Sequence, residues 1–195
     1  MYTLIGGARN RGFRVMWMLE ELGLDYTVTD AAPRSEEITQ YNPLGKLPAL
    51  LDGDAVLTDS MAIVTYLADK HGQFTAASGT VARAQQDAMT LWLIDEMDAL
   101  LWTAAKHSFI LPEKMRVKEI KPTVKAEFAR NAEILQGRIA GDFLMGDAMT
   151  VPDILAVHCL GWSLVAGFDP LPDGLKAYSK RLRDRPAYRA AAATR

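Results

Sequence analysis

The sequence predicts a mixed α/β sheet domain followed by an all-helical domain. Three observations carry this. Up to about residue 72, short apolar or β-branched runs alternate with stretches of helical periodicity. Beyond about residue 80 no convincing strand pattern occurs, only long helical stretches. Between them lies a small, polar run, QFTAASGT, at 73–80, which reads as a linker. The expected domains are therefore 1–73 and 82–195, with 74–81 joining them.

The elements follow in order. YTLI (2–5) is a short apolar strand. FRVMWMLEELG (13–23) has helical spacing if one face is broad, and Gly23 is its stop. DYTVTD (25–30) is β-branched and alternating, a second strand. SEEITQY (35–41) is a short helical turn after Pro33. LPALL and AVLT flank Asp52-Gly53-Asp54, and Asp-Gly predicts an antiparallel hairpin. DSMAIVTYLADKHG (59–72) is a helix that Thr58 or Asp59 caps and Gly72 ends. The first βαβ unit demands a parallel pair with a right-handed crossover, and the hairpin adds antiparallel strands. A mixed four-stranded sheet with helices on both faces results.

In the second half, 82–107 reads as one long helical stretch. A second covers 113–139, with Pro122 marking a kink or a late start. A third begins at Thr150, where Asp153 three residues on makes a capping box and Pro152 sits in the first turn. Residues 171–193 supply one or two more helices.

Composition excludes several classes. With 195 residues, 49% of them hydrophobic, the chain can bury a sizeable core. A net charge of −2 gives no global basic field for nucleic acid. No apolar run reaches the roughly 18 residues of a membrane span, and Met1–Gly7 is too short for a signal peptide. A single cysteine, Cys159, rules out an intrachain disulfide and a Cys-rich metal site. It lies in an apolar helix and reads as a buried, inert thiol. A soluble cytoplasmic protein without a bound metal is expected.

The opening segment, LIGGARNRGFRVMW (4–17), is a strand-to-helix turn suited to an anion. It holds no Ser, Cys, Tyr or His. Taken alone, Asp59 and Ser60 read equally as helix caps and Pro48 as the opening of an edge strand, and Asn10 has the alternative of an ordinary turn residue.

Four motifs together, in this order and spacing, resemble the cytosolic glutathione transferase superfamily. They are FRVMWMLEELGLDY (13–26), NPLGKLPAL (42–50), LTDSMAIVTYLADKHG (57–72) and TVPDILAV (150–157), and the resemblance spans essentially the whole chain. It implies a thioredoxin-like first domain, glutathione as co-substrate, and transfer of its thiolate to a small hydrophobic electrophile. Leu47–Pro48 is then expected to be cis, presenting the Leu47 backbone to the cysteinyl amides in the manner of strand addition. Ser60 at a helix N-terminus would meet the γ-glutamyl carboxylate and Asp59 its ammonium. Lys46 would meet the glycyl carboxylate, and Gln40 and Asn42 would lend amides.

Here the chain departs from the family pattern. Asn10 stands at or near the position where many members carry a Tyr, Ser or Cys facing the sulfur. Its amide can donate to a thiolate as a hydroxyl does, with Arg9 and Arg11 adding positive potential or supplying the donor themselves. The electrophile would lie against the first long helices of the second domain, near Trp102, Lys106 and His107. There 95, 98, 102, 106 and 109 recur at helical spacing, as one stripe would. The resemblance also implies a symmetric homodimer through the third and fourth helices. A glutathione-dependent peroxidase, or a module of the same fold that binds glutathione without chemistry, stands as the alternative.

Overall fold

The computed structural model describes residues 1–194. It divides into two compact units, Met1–Ser78 with Arg183–Arg195, and Gly79–Leu182.

The first unit holds β1 (Tyr2–Ile5), α1 (Gly12–Glu21), β2 (Tyr26–Thr29), α2 (Glu36–Thr39), β3 (Ala49–Asp52), β4 (Ala55–Thr58) and α3 (Ser60–His71). The strand order is β2-β1-β3-β4. β1 pairs parallel with β2 and antiparallel with β3, which pairs antiparallel with β4. Asp52 pairs with Ala55, so the tight turn is Gly53-Asp54, one residue later than the Asp-Gly pair, with Gly53 at φ 58. That backbone suits glycine at no steric cost.

Alternation along the strands sorts the core. Ile5 and Ala49 cluster with Ile38 of α2, and Leu51 packs against them. Leu4 and Leu50 point the other way and are fully buried, on the side where α1 touches β1 and α3 touches β4. Helix α1 buries Gly12 through Leu19 without a break. It is therefore an interior helix, not one with a broad apolar face.

The last helix, α9 (Pro186–Ala193), belongs to this first unit. The expected helical domain running to 195 is corrected to this extent. Two attachments account for it. The Tyr188 ring meets Phe13 and Trp17 edge-on, each at 5.0 Å between centroids. Arg185 Nε and Nη2 donate to Glu21 Oε1 and Oε2 at 2.6 and 2.7 Å.

The second unit is helical: α4 (Val81–Leu93), α5 (Ala99–Ala105), α6 (Ile120–Gly137), α7 (Val151–Val165) and most of α8 (Asp173–Arg183). α6 starts at Ile120, so Pro122 falls in its first turn, where a missing N–H costs nothing. The long 82–107 stretch is helical throughout but interrupted by π-turns at Ile94–Asp98 and Lys106–Ile110. A π-turn inserts one residue and frees a carbonyl. Asn131, 1% exposed, meets the first insertion: its Nδ2 donates to Glu96 O at 2.9 Å and to Glu96 Oε2 at 2.8 Å.

The start of α7 carries the expected capping box between Thr150 and Asp153. Asp153 is fully buried, and its carboxylate accepts from Leu144 N, Tyr178 Oη, Thr150 N and Thr150 Oγ1. No helix among the described residues is long and apolar enough to cross a membrane.

Candidate functional site

The site is assembled in the first unit from three loop-to-helix or loop-to-strand junctions. The first is the β1–α1 turn. Asn10 Oδ1 accepts from the Gly12 N–H at 2.8 Å, and the Asn10 carbonyl accepts from the Phe13 N–H at 3.1 Å. The side chain thus caps the start of α1 through its oxygen. With Oδ1 committed, Nδ2 and its two protons face away from that amide. Gly12 has to be glycine: an added Cβ would sit 2.9 Å from Asn10 Oδ1 and from Gly7 N. Arg9 is exposed and Arg11 half-buried.

The second junction precedes β3. Leu47–Pro48 is cis, as the resemblance implied. Asn42 holds the loop before it: Nδ2 donates to Lys46 O at 2.9 Å, and Oδ1 accepts from Leu44 N at 3.2 Å. Asn42 is buried, so its amide shapes the loop that presents Lys46 and is not turned outward for a ligand. Lys46 itself is exposed. Gln40 is exposed too, and its Nε2 donates to Glu37 O at 3.3 Å.

These two junctions meet at Gly6. A Cβ placed there would lie 3.4 Å from Asn10 Oδ1 and 3.5 Å from Pro48 Cβ. The asparagine and the cis-proline, 38 positions apart in the chain, therefore flank one point.

The third junction is the start of α3. Asp59, at φ 69, is its N-cap, and its Oδ1 accepts from Met61 N and Ala62 N at 2.9 and 3.1 Å. Asp59 Oδ2 is not used in this cap. Ser60 is 3% exposed, and its Oγ accepts from Arg14 Nη1 at 3.2 Å. Arg14, 2% exposed, is the residue the sequence reading passed over. The signal was present: one cation in the middle of an otherwise apolar run, Phe13 to Leu19.

The helical unit brings together less than expected. Trp102, Lys106 and His107 are all half-buried. His107 Nδ1 accepts from Val117 N at 3.0 Å, which puts its proton on Nε2. Along the stripe exposure varies: Asp98 is 8% exposed and takes the Cys159 thiol at 3.8 Å, whereas Phe109 is 67% exposed. A cavity of about 230 Å³ within this unit is lined from this stretch by Leu101, Ala104, Ala105, Ser108 and the stripe residue Phe109. Trp102, Lys106 and His107 are not part of its lining. Cys159 is buried, as an inert core thiol would be. Among the described residues, no group of three His, Cys, Asp or Glu is arranged to hold a metal ion.

Two family models match the chain: the glutathione S-transferase N-terminal domain over residues 2–69, and the glutathione S-transferase C-terminal domain over 97–186. Glutathione S-transferase 3 of Zea mays is 28% identical, over 90% of this chain and 85% of its own length. Glutathione S-transferase theta-1 of Bos taurus is 31% identical, over 68% of this chain and 58% of its own length. Among solved structures, a glutathione transferase from Methylococcus capsulatus superposes with a TM-score of 0.84 at 26% identity, covering 98% of this chain and 97% of that one. The theta class glutathione S-transferase of Xanthomonas axonopodis pv. citri, solved with glutathione bound, has a TM-score of 0.81 at 24% identity, covering 100% of this chain and 98% of that one. At that identity it supports the fold alone.

Proposed function

Because the chain belongs to the glutathione S-transferase family, we propose that it binds glutathione in the first unit and transfers its thiolate to a small hydrophobic electrophile. The observation that carries this reading is the convergence of Asn10 and Pro48 on Gly6. It sets a side-chain amide beside the backbone on which an extended peptide would pair.

Each part of the tripeptide finds matching chemistry. The Leu47 N–H and C=O take the cysteinyl amides, adding the ligand as a short strand. Ser60 donates to the γ-glutamyl carboxylate, Asp59 Oδ2 accepts from its ammonium, and Lys46 meets the glycyl carboxylate. Gln40 is exposed nearby in sequence and adds an amide. Asn42 acts indirectly, through the loop that carries Lys46.

Asn10 Nδ2 donates to the sulfur. An unperturbed thiol has a pKa of about 8.5, and each unit of lowering corresponds to about 1.4 kcal/mol of preference for the anion. The amide hydrogen bond, the positive end of α1, and Arg9 and Arg11 all favour the charged form. The thiolate then attacks the electrophilic carbon, an S–C bond forms, and the leaving group departs with its electron pair. Asn10 takes no covalent part. Trp102, Lys106 and His107 of the second unit are the residues assigned to the electrophile.

The same family reading makes the protein a cytoplasmic homodimer. Support for the dimer is exposed apolar surface on α4, where Val81 is 76% and Leu91 64% exposed.

Ultraviolet titration of bound glutathione tests the role of Asn10. Asn10→Ala should raise the apparent thiol pKa by about one unit, the worth of one charge-assisted hydrogen bond, with glutathione affinity changed less than threefold. An unchanged pKa removes Asn10 from the mechanism. Retention on glutathione resin with no turnover of a chloronitroaromatic would leave binding without transfer.

A further inference from the structure

We infer that the cavity inside the helical unit is a second ligand site, which takes a small aromatic monocarboxylate and goes beyond the transfer reaction proposed above.

Its size limits the occupant. The cavity measures about 230 Å³, below the roughly 300–1,000 Å³ of pockets for drug-sized ligands. An apolar cavity of about 150 Å³ already accepts benzene. Two fused rings with one short substituent fall between these limits. A tripeptide or its conjugate does not.

The lining sets the apolar end. Ala104 and Ala105 close α5 with side chains too small to fill the space, and Trp162 of α7 and Phe168 bring aromatic surface to it. Phe168 is 7% exposed, and Phe128 meets its ring edge-on at 5.1 Å between centroids, which fixes that wall. Ser108, in the π-turn Lys106–Ile110, donates its hydroxyl proton to Ala104 O at 2.7 Å. A serine hydroxyl has one proton, so Ser108 offers a ligand no donor. Phe109, 67% exposed, and the exposed Ala166 are the part of the lining that meets solvent, and they mark the entrance.

The charge sets the polar end. Lys121 and Lys125 of α6 line the cavity, and among the described residues no Asp or Glu does. They stand four positions apart on one helix, where like charges repel. Both are half-buried, as is usual for a lysine whose stem covers apolar surface while its ammonium meets water. Lys125 Nζ donates to Gly167 O at 2.5 Å and lies 5.7 Å from the Phe168 ring centroid. An ammonium has three protons, so two remain for a ligand. Lys121 forms no ion pair among the described residues. One carboxylate at this pair relieves the repulsion while its ring system fills the apolar end. A polyanion is disfavoured, because the remaining wall is apolar apart from Ser108 and would strip its hydration without returning hydrogen bonds.

The test is calorimetry on the full chain with 2-naphthoate and with 2-naphthamide, which has the same rings and no charge. Wild type should bind one naphthoate per chain, at least tenfold tighter than the amide. Lys121→Met and Lys125→Met should each weaken naphthoate at least threefold and leave the amide within twofold. Ala166→Phe, at an exposed position where it disturbs no packing, should weaken both ligands at least tenfold by closing the entrance. Saturating S-hexylglutathione should leave naphthoate affinity within twofold, because Trp102, Lys106 and His107 are not in the lining. Four results overturn the inference: wild type that binds neither ligand, lysine variants that match wild type or lose both ligands alike, Ala166→Phe with wild-type affinity, and displacement of naphthoate by the conjugate. Failure of the glutathione reading is seen separately, as loss of retention on glutathione resin, and it leaves naphthoate binding standing.

Discussion

Replacing Asp153 by alanine removes four hydrogen-bond acceptor contacts at one buried point. Oδ1 takes Leu144 N at 2.9 Å and Tyr178 Oη at 2.6 Å, and Oδ2 takes Thr150 N at 2.8 Å and Thr150 Oγ1 at 3.1 Å. Leu144 and Tyr178 are 1% and 2% exposed, so water cannot replace the lost partner. A buried donor left unsatisfied costs about 1–3 kcal/mol. Thr150 is half-buried, and its N–H and hydroxyl can turn to water at lower cost. Against this, burial works on the carboxylate in the opposite sense, pushing its pKa up against its hydrogen bonds. Relief of that desolvation returns part of the loss. The net for Asp153→Ala is about 3–5 kcal/mol. Asp153→Asn keeps one carbonyl oxygen for Leu144 and Tyr178 and sets an NH₂ against the two Thr150 donors, at about 1–2 kcal/mol. Urea unfolding at pH 7 checks both, read by fluorescence of Trp92, Trp102 and Trp162 in the helical unit. With m of about 1–3 kcal/mol per molar, alanine should lower the midpoint by about 2 M and asparagine by under 1 M. An alanine variant within about 0.3 M of wild type, or asparagine worse than alanine, refutes the accounting.

Three further outcomes follow from the geometry. The Lys70 ammonium, through its hydrogen bond, and then the Tyr66 hydroxyl, hold the Asp52 carboxyl below its usual range. A depressed carboxylate contributes stability above its unfolded pKa of about 4 and loses it as pH falls through the folded value. The stability difference between wild type and Asp52→Asn should therefore be constant from pH 5 to 8 and shrink below pH 4. A gap that persists at pH 2 contradicts this. Arg185→Ala leaves the Glu21 carboxylate, 5% exposed, without a cation and with the Trp17 Nε1–H as a remaining donor at 2.8 Å, and should cost about 2–4 kcal/mol in thermal or urea unfolding of the first unit. No change there would mean α9 is held by its Tyr188 ring contacts alone. Leu91→Glu should shift the protein from dimer to monomer in sedimentation velocity, and a dimer retained at micromolar concentration sets aside α4 as its interface.

Much of this protein is legible without coordinates because the signals are local. Asp59 before α3, Gly72 after it, Pro122 and Pro152 in first turns, and Thr150 with Asp153 each act within a few residues, and each appears where the pattern places it. The four strands and their mixed pairing follow from short alternating runs and one glycine turn. The residues of the proposed site are placed by the same local signals: Lys46, Pro48, Asp59 and Ser60 sit at junctions that sequence punctuation marks.

What only the tertiary structure decided is the commitment of each polar atom, because that depends on partners brought from far along the chain. Arg185 reaches Glu21 across 164 positions and carries α9 into the first unit. Asn131 reaches Glu96 across 35 positions and satisfies a π-turn that no periodicity announces. Arg14 meets Ser60 across 46 positions. Periodicity says which face a residue occupies. A buried hydrogen-bonding group must in addition find a partner of opposite kind, and that partner is a property of the folded packing.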